Sequence, residues 1–145
     1  MRCFNKLKRP KLEVFKGCFS GNISPTDVDM QVEKNGNFLV VDFKSNIDHY
    51  PPKNGQRRMF EKQSRCVGYT VMLVECDEET MVCTGVRRFR NGQILDREDA
   101  DLDGVKEIFR EWYSHAVHNP TNQWKARDLF ERYARAIRIA LGREQ

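Results

Sequence analysis

The sequence predicts an α/β domain built on a mixed β-sheet flanked by α-helices. Three observations carry this. Residues 28–41 read as a strand, a tight turn and a buried strand. The segments after them switch between helical and strand-like patterning, and the last third of the chain holds two long amphipathic helices. At 145 residues the chain is expected to form one domain over 1–145, long enough for a single sheet-centred core.

The elements follow in order. Pro10-Lys11-Leu12-Glu13-Val14-Phe15-Lys16 reads as a short helix opened by proline, with Leu12, Phe15 and Phe19 as its apolar stripe and Glu13 as its only acid. Val28, Met30 and Val32 alternate with Asp29, Gln31 and Glu33, the period of a strand with one buried face. Asn35-Gly36 supplies the positive φ angles of a tight hairpin. The continuous apolar run Phe38-Leu39-Val40-Val41 suits a strand covered on both faces, near the centre of a sheet.

A polar loop from Ser45 to Asn54 contains Pro51-Pro52, and Gly55 then opens a helix. In it Met59, Phe60, Gln63 and Val67 recur at helical spacing, with Gln56 on the same inward side. Val67 to Val74 reads as a third strand and Met81 to Arg88 as a fourth, while Phe89 to Leu95 turns through Asn91-Gly92 into a short edge strand. The acids between the third and fourth strands, Glu75, Asp77, Glu78 and Glu79, are expected at a solvated hairpin tip. Gly104 to His118 is a helix with Val105, Ile108, Phe109, Trp112 and Ala116 on one face, and Asn119-Pro120 ends it. Trp124 to Leu141 is a second, with Phe130, Ala134, Ile137 and Leu141 as its stripe; both are expected to pack against the core.

Chemistry concentrates between Pro25 and Lys44. The second strand ends Asp42-Phe43-Lys44, which sets Asp42 and Lys44 side by side on one face. The hairpin brings Asp29, or Asp27 on the same face, across from them. Hydrolysis of a phosphodiester needs a cation to offset charge on the phosphoryl oxygens and to acidify the attacking water. Mg²⁺ takes oxygen ligands and typically only one or two protein carboxylates. Asp29 and Asp42 are the candidate ligands, the carbonyl of Phe43 would add a third oxygen, and Lys44 would orient the water or stabilise the developing charge.

Residues 25–44 resemble the signature of the PD-(D/E)XK nuclease superfamily, an acid at the start of one strand and acid-x-lysine on the next. The likeness is to small phage and prokaryotic nucleases, including archaeal-type Holliday junction resolvases. Asp29 and Asp42-Phe43-Lys44 match the pattern, with Asp27 as rival for the first position. The resemblance implies a restriction-endonuclease-like fold and Mg²⁺- or Mn²⁺-dependent cleavage of DNA by in-line attack of water, leaving a 5′-phosphate. It also implies a glutamate from a preceding helix reaching the metal, matched by Glu13, and a glutamine at the start of the following helix facing the active centre, matched by Gln56. A junction resolvase would act as a homodimer with two sites on opposing strands. The implied setting is the cytoplasm of a prokaryotic or phage-infected cell.

Charge and cysteine bound the rest. A net charge of +4 does not by itself indicate nucleic acid, but Lys53, Arg57, Arg58, Lys62 and Arg65 crowd the helix after the motif, where they would contact phosphates without reading sequence. Five cysteines without CxxC pairs give no zinc ribbon, and free thiols are the expectation, Cys76 and Cys83 being possible neighbours across a hairpin. There is no apolar run of transmembrane length and no signal-peptide pattern. His115 and His118 are not expected to bind metal. Two other functions stand beside the nuclease: a non-catalytic nucleic-acid-binding module on the same fold, and a phage protein-interaction factor using the 75–79 loop or the terminal helices.

Overall fold

The computed structural model describes residues 11–21, 23, 25–52, 54–121 and 123–142, of which 123–129 by their backbone alone. It is a mixed six-stranded sheet with helices. The elements are β1 (Met30–Lys34), β2 (Asn37–Lys44), α1 (Gly55–Gln63), β3 (Tyr69–Cys76), β4 (Cys83–Arg90), β5 (Gln93–Ile94), β6 (Glu98–Asp99), α2 (Leu102–His118) and α3 (Gln123–Ala140). The sheet order is β1-β2-β3-β4-β5, and β6 also pairs with β4. β1 and β2 form the expected antiparallel hairpin; β2 and β3 run parallel, as the helical crossover through α1 requires.

The pleat of β2 divides the core. Leu39 and Val41 join Met72, Val74 and Val86 under Val105, Trp112 and Ala116 of α2. Val40 joins Val71, Leu73 and Phe89 under Phe60 of α1, with Ile47 and Tyr50 from the loop after β2. Asp42 and Lys44 share the parity of Val40, so the α1 side of the sheet carries the motif.

Several expectations need correction. Of the expected Pro10–Lys16 helix, Pro10 lies outside the described residues and the rest forms only a four-residue 3-10 turn, Leu12–Phe15, that buries nothing; Gly17, at φ 90°, follows it. Val28 and Met30 do not share a face. β1 begins only at Met30, so Val28 packs toward the α1 side and Met30 toward α2. Val67 is 70% exposed in the turn after α1, so β3 starts later than expected. Asp77 accepts hydrogen bonds from the amides of Glu79 and Thr80, and this Asx-type turn delays β4 to Cys83. Glu75 is no part of the solvated tip; it lies within β3. Cys76 and Cys83 are opposite each other in the register, yet both are free thiols, and burial together with Cys76 raises Cys83 to about 11. The stripe of α3 is not packed into the core: Phe130, Ile137 and Leu141 are exposed.

The hairpin tip is clamped by the end of α2, which no local pattern announces. Asn35 donates to the carbonyls of Ala116 and Val117, Asn37 to that of Asn119, and the Thr121 hydroxyl donates to Asn37. Asn35 and Gly36 both have positive φ, 54° and 78°. A Cβ on Gly36 would collide with the Thr121 carbonyl oxygen. Gly36→Ala should therefore lose about 2 kcal/mol or more in chemical denaturation, from turn strain and the collision together. A loss below about 0.5 kcal/mol would show that the clamp yields.

Candidate active site

The site is assembled at the end of β2. Asp42 is buried at 2% exposure, an expensive place for a carboxylate. Lys44, two residues on and on the same face, sets its ammonium 2.6 Å from Asp42 Oδ2. That oxygen nevertheless makes no well-angled hydrogen bond. The lysine meets its charge, but the directional acceptor capacity of Oδ2 is not used up. Asp29 approaches from the hairpin; its Oδ2 accepts from the Phe43 amide at 2.9 Å. The β1–β2 register pairs Met30 with Val41, so its continuation sets Asp29 opposite Asp42. Burial raises the Asp42 pKa; Lys44 opposes this, and the nearby Asp29 carboxyl adds to it.

Gln56 sits in the first turn of α1, whose N-cap is Asn54, the acceptor for the amides of Gln56 and Arg57. The Gln56 side chain is drawn inward as expected, but it is engaged at both ends. Its Oε1 accepts from the Tyr50 hydroxyl at 2.7 Å, and its Nε2 donates to the Asp27 carbonyl at 3.3 Å. It thus ties the loop after β2 to the segment that carries Asp29. Burial, reinforced by the Asp42 charge, raises Tyr50 well above its ordinary 10, so the phenol remains a donor.

Around the site the expected residues sort unevenly. Asp29, Asp42, Lys44 and the Phe43 peptide converge. The Asp29 carboxyl lies beside Asp42, and the Asp27 carbonyl ties its segment to the cluster through Gln56. Glu13 is exposed on the 3-10 turn. Arg57 is half-buried and directed inward, donating to the Tyr50 carbonyl and pairing with Glu61 at 2.8 Å. Arg58 and Lys62 are exposed on α1, and Lys53 lies outside the described residues.

Sequence patterning did not reveal what holds the loop after β2. The Ile47 amide donates to Glu75 and the Ile47 carbonyl accepts from Arg87. Arg97 bridges Glu75, Asp48 and Asp99. Burial alone would raise the Glu75 pKa, but hydrogen bonds from Thr84, Ile47 and Arg97 outweigh it and hold the carboxyl below its usual 4.5. The only advance signal was that Glu75 directly follows an apolar run and so continues a strand.

A cavity of about 250 Å³ opens beside Asp29, lined also by Phe43, Cys76, Glu78 and Met81. A larger one of about 680 Å³, near Trp112 and His115, lies at the other end of the parallel strands. No cluster of three or more His, Cys, Asp or Glu suited to a metal occurs among the described residues. Two carboxylates are nonetheless a sufficient protein contribution for a hydrated Mg²⁺. The Asp29–Asp42 pair fits such an ion: both are hard oxygen donors, and one has unused acceptor capacity at a buried position. Comparison with protein-family models, with curated proteins and with solved structures finds no match.

Asp42 should leave a signature in stability. Its folded pKa lies above the ordinary 3.8, so the folded state keeps a proton that the unfolded chain releases. Its contribution therefore falls as pH rises from 3.8 toward the raised folded value. Thermal melts of wild type and Asp42→Asn in EDTA should show wild type losing ground to the variant across that window. Added Mg²⁺ or Mn²⁺ should restore wild type only, with a shift of a few degrees, about 1 kcal/mol or more. Equal pH profiles, or equal shifts with metal, would remove Asp42 from the candidate metal pair.

Proposed function

We propose that this chain is a divalent-metal-dependent nuclease that hydrolyses phosphodiester bonds in DNA on a restriction-endonuclease-like fold. The observation that carries the reading is the buried Asp42, held beside a second acid and a lysine at the end of a central strand. Burying a carboxylate against another carboxylate is costly unless a cation shares the site. The order of an antiparallel hairpin, a helix and a parallel strand supports the fold assignment, as does the resemblance of residues 25–44 to the PD-(D/E)XK signature.

In this reading Asp29 and Asp42 hold Mg²⁺ or Mn²⁺, with the Phe43 carbonyl as a further oxygen. When bound, the ion would offset charge on the phosphoryl oxygens and favour ionisation of water. The Phe43 amide orients the Asp29 carboxylate. Lys44 would turn its ammonium from Asp42 toward the water or the pentacoordinate phosphoryl group, stabilising the charge that grows there. Gln56 is a positioning residue, because its amide joins Tyr50 to the Asp27 segment. Arg58 and Lys62 would contact phosphates, while Arg57 serves the loop. DNA of branched or junction structure and a prokaryotic or phage-infected cytoplasm complete the proposal.

The test is cleavage of labelled single strands, duplexes, flaps and four-way junctions with Mg²⁺, Mn²⁺ or EDTA. Wild type should cut only with metal, and Asp42→Ala and Lys44→Ala should each lose roughly 10²-fold or more in rate. Tyr50→Phe should stay folded and lose less, about tenfold or under, because it acts through Gln56. Binding without cutting would replace the enzyme with a binding module, and neither binding nor cutting would end the nucleic-acid reading.

A further inference from the structure

Helix α3 carries an apolar stripe that stays exposed among the described residues. Phe130, Ile137 and Leu141 are 74%, 58% and 62% exposed, with Tyr133 beside them at 66%. A helix of 18 residues gains little from intrinsic propensity in water; in proteins most helical stability comes from burying such a face. We propose that the stripe is a self-association surface through which two copies of this chain pair α3 against α3, antiparallel.

Spacing, charge and area select a second copy as the occupant. Phe130, Ala134, Ile137 and Leu141 are separated by four, three and four residues, the alternation of a coiled-coil seam. Of the charged residues between Phe130 and Leu141, only Glu131 and Arg138 flank that seam, on one side and seven residues apart; Arg132 and Arg135 fall on the far side of the helix. In an antiparallel pair like flanks face each other with reversed direction. Glu131 of each copy then meets Arg138 of the other, twice by symmetry. A parallel pair would instead set that flank against Tyr133 and Ala140, with no opposite charge. Glu131 and Arg138 each have an interaction of their own within the chain, and the second copy adds an opposite charge to each. The exposed stripe would bury on the order of 500 Å² per copy, roughly 1,000 Å² in all, near the lower bound of a specific interface. The dimer should therefore be reversible rather than obligate.

The test is sedimentation velocity on the full chain across about 1–200 μM, a range chosen for a reversible, micromolar-class complex. Wild type should move from monomer toward dimer as concentration rises. Ile137→Glu, at an exposed position that leaves the fold intact by circular dichroism, should weaken dimerisation by about 100-fold. Glu131→Arg and Arg138→Glu should each weaken it about threefold to tenfold, and the double exchange should return it to within about twofold of wild type. A wild type that stays monomeric, or a dimer indifferent to Ile137→Glu, overturns the proposal. A dimer that Ile137→Glu dissolves but the double exchange does not rescue overturns the antiparallel pairing. None of these readouts involves cleavage, so they stand or fall separately from the nuclease reading.

Discussion

The structure depends on β2 being bonded along both edges and covered on both faces. Once Leu39, Val40 and Val41 are committed to the two cores, the pleat leaves Asp42 no choice of side. It must continue the α1 face just where that face meets the loop, at 2% exposure. A carboxylate there costs free energy that water cannot recover. The Lys44 ammonium at 2.6 Å offsets part of that cost, while the unspent acceptor capacity on Oδ2 adds to it. Asp29 makes the demand sharper, because a second carboxyl nearby raises Asp42 further. A pair of acids arranged against its own ionisation is what a cation would relieve.

The loop after β2 is the second dependency. It leaves the sheet at the site, and charged side chains hold its backbone. Glu75 and Arg87 take the two backbone groups of Ile47, Arg97 takes the Asp48 carboxylate, and Arg57 takes the Tyr50 carbonyl. Tyr50 then reaches Gln56, which reaches the Asp27 carbonyl. The chain running into Asp29 and the chain leaving Lys44 are thus joined through one glutamine. Basic residues near a motif are easily read as substrate contacts. Here Arg57, Arg87 and Arg97 are spent on satisfying polar groups at a strand end, while Arg58 and Lys62 on α1 remain exposed.

At the opposite end of the strands, Asn35, Asn37 and Thr121 bind the hairpin turn to the close of α2. β1 is an edge strand with Val32 39% exposed, so side-chain burial alone specifies its register weakly. The asparagine clamp, far along the hairpin from Asp29, therefore helps to keep Asp29 opposite Asp42. Fold and site are coupled through register rather than through direct contact.

What the sequence determined by itself was periodic and local. Alternation around residue 30, the Asn35-Gly36 turn, the apolar run into Asp42-Phe43-Lys44 and the stripe of α2 all led to the elements that formed, because strand pleat and helical pitch act within a few residues. The mixed sheet, the face shared by Asp42 and Lys44, and the inward turn of Gln56 were legible for that reason. Tertiary structure decided the rest. Val28 and Met30 divide between two cores because β1 begins only at Met30, which leaves Val28 outside the strand's alternation. Glu75 and Arg57 leave solvent only because a distant loop brings them unsatisfied backbone groups. Glu13 stays outside because the turn that carries it buries nothing. The stripe on α3 shows the same limit in reverse: amphipathicity predicts that a helix has something to cover, and only the packed chain reveals that its own core does not cover it.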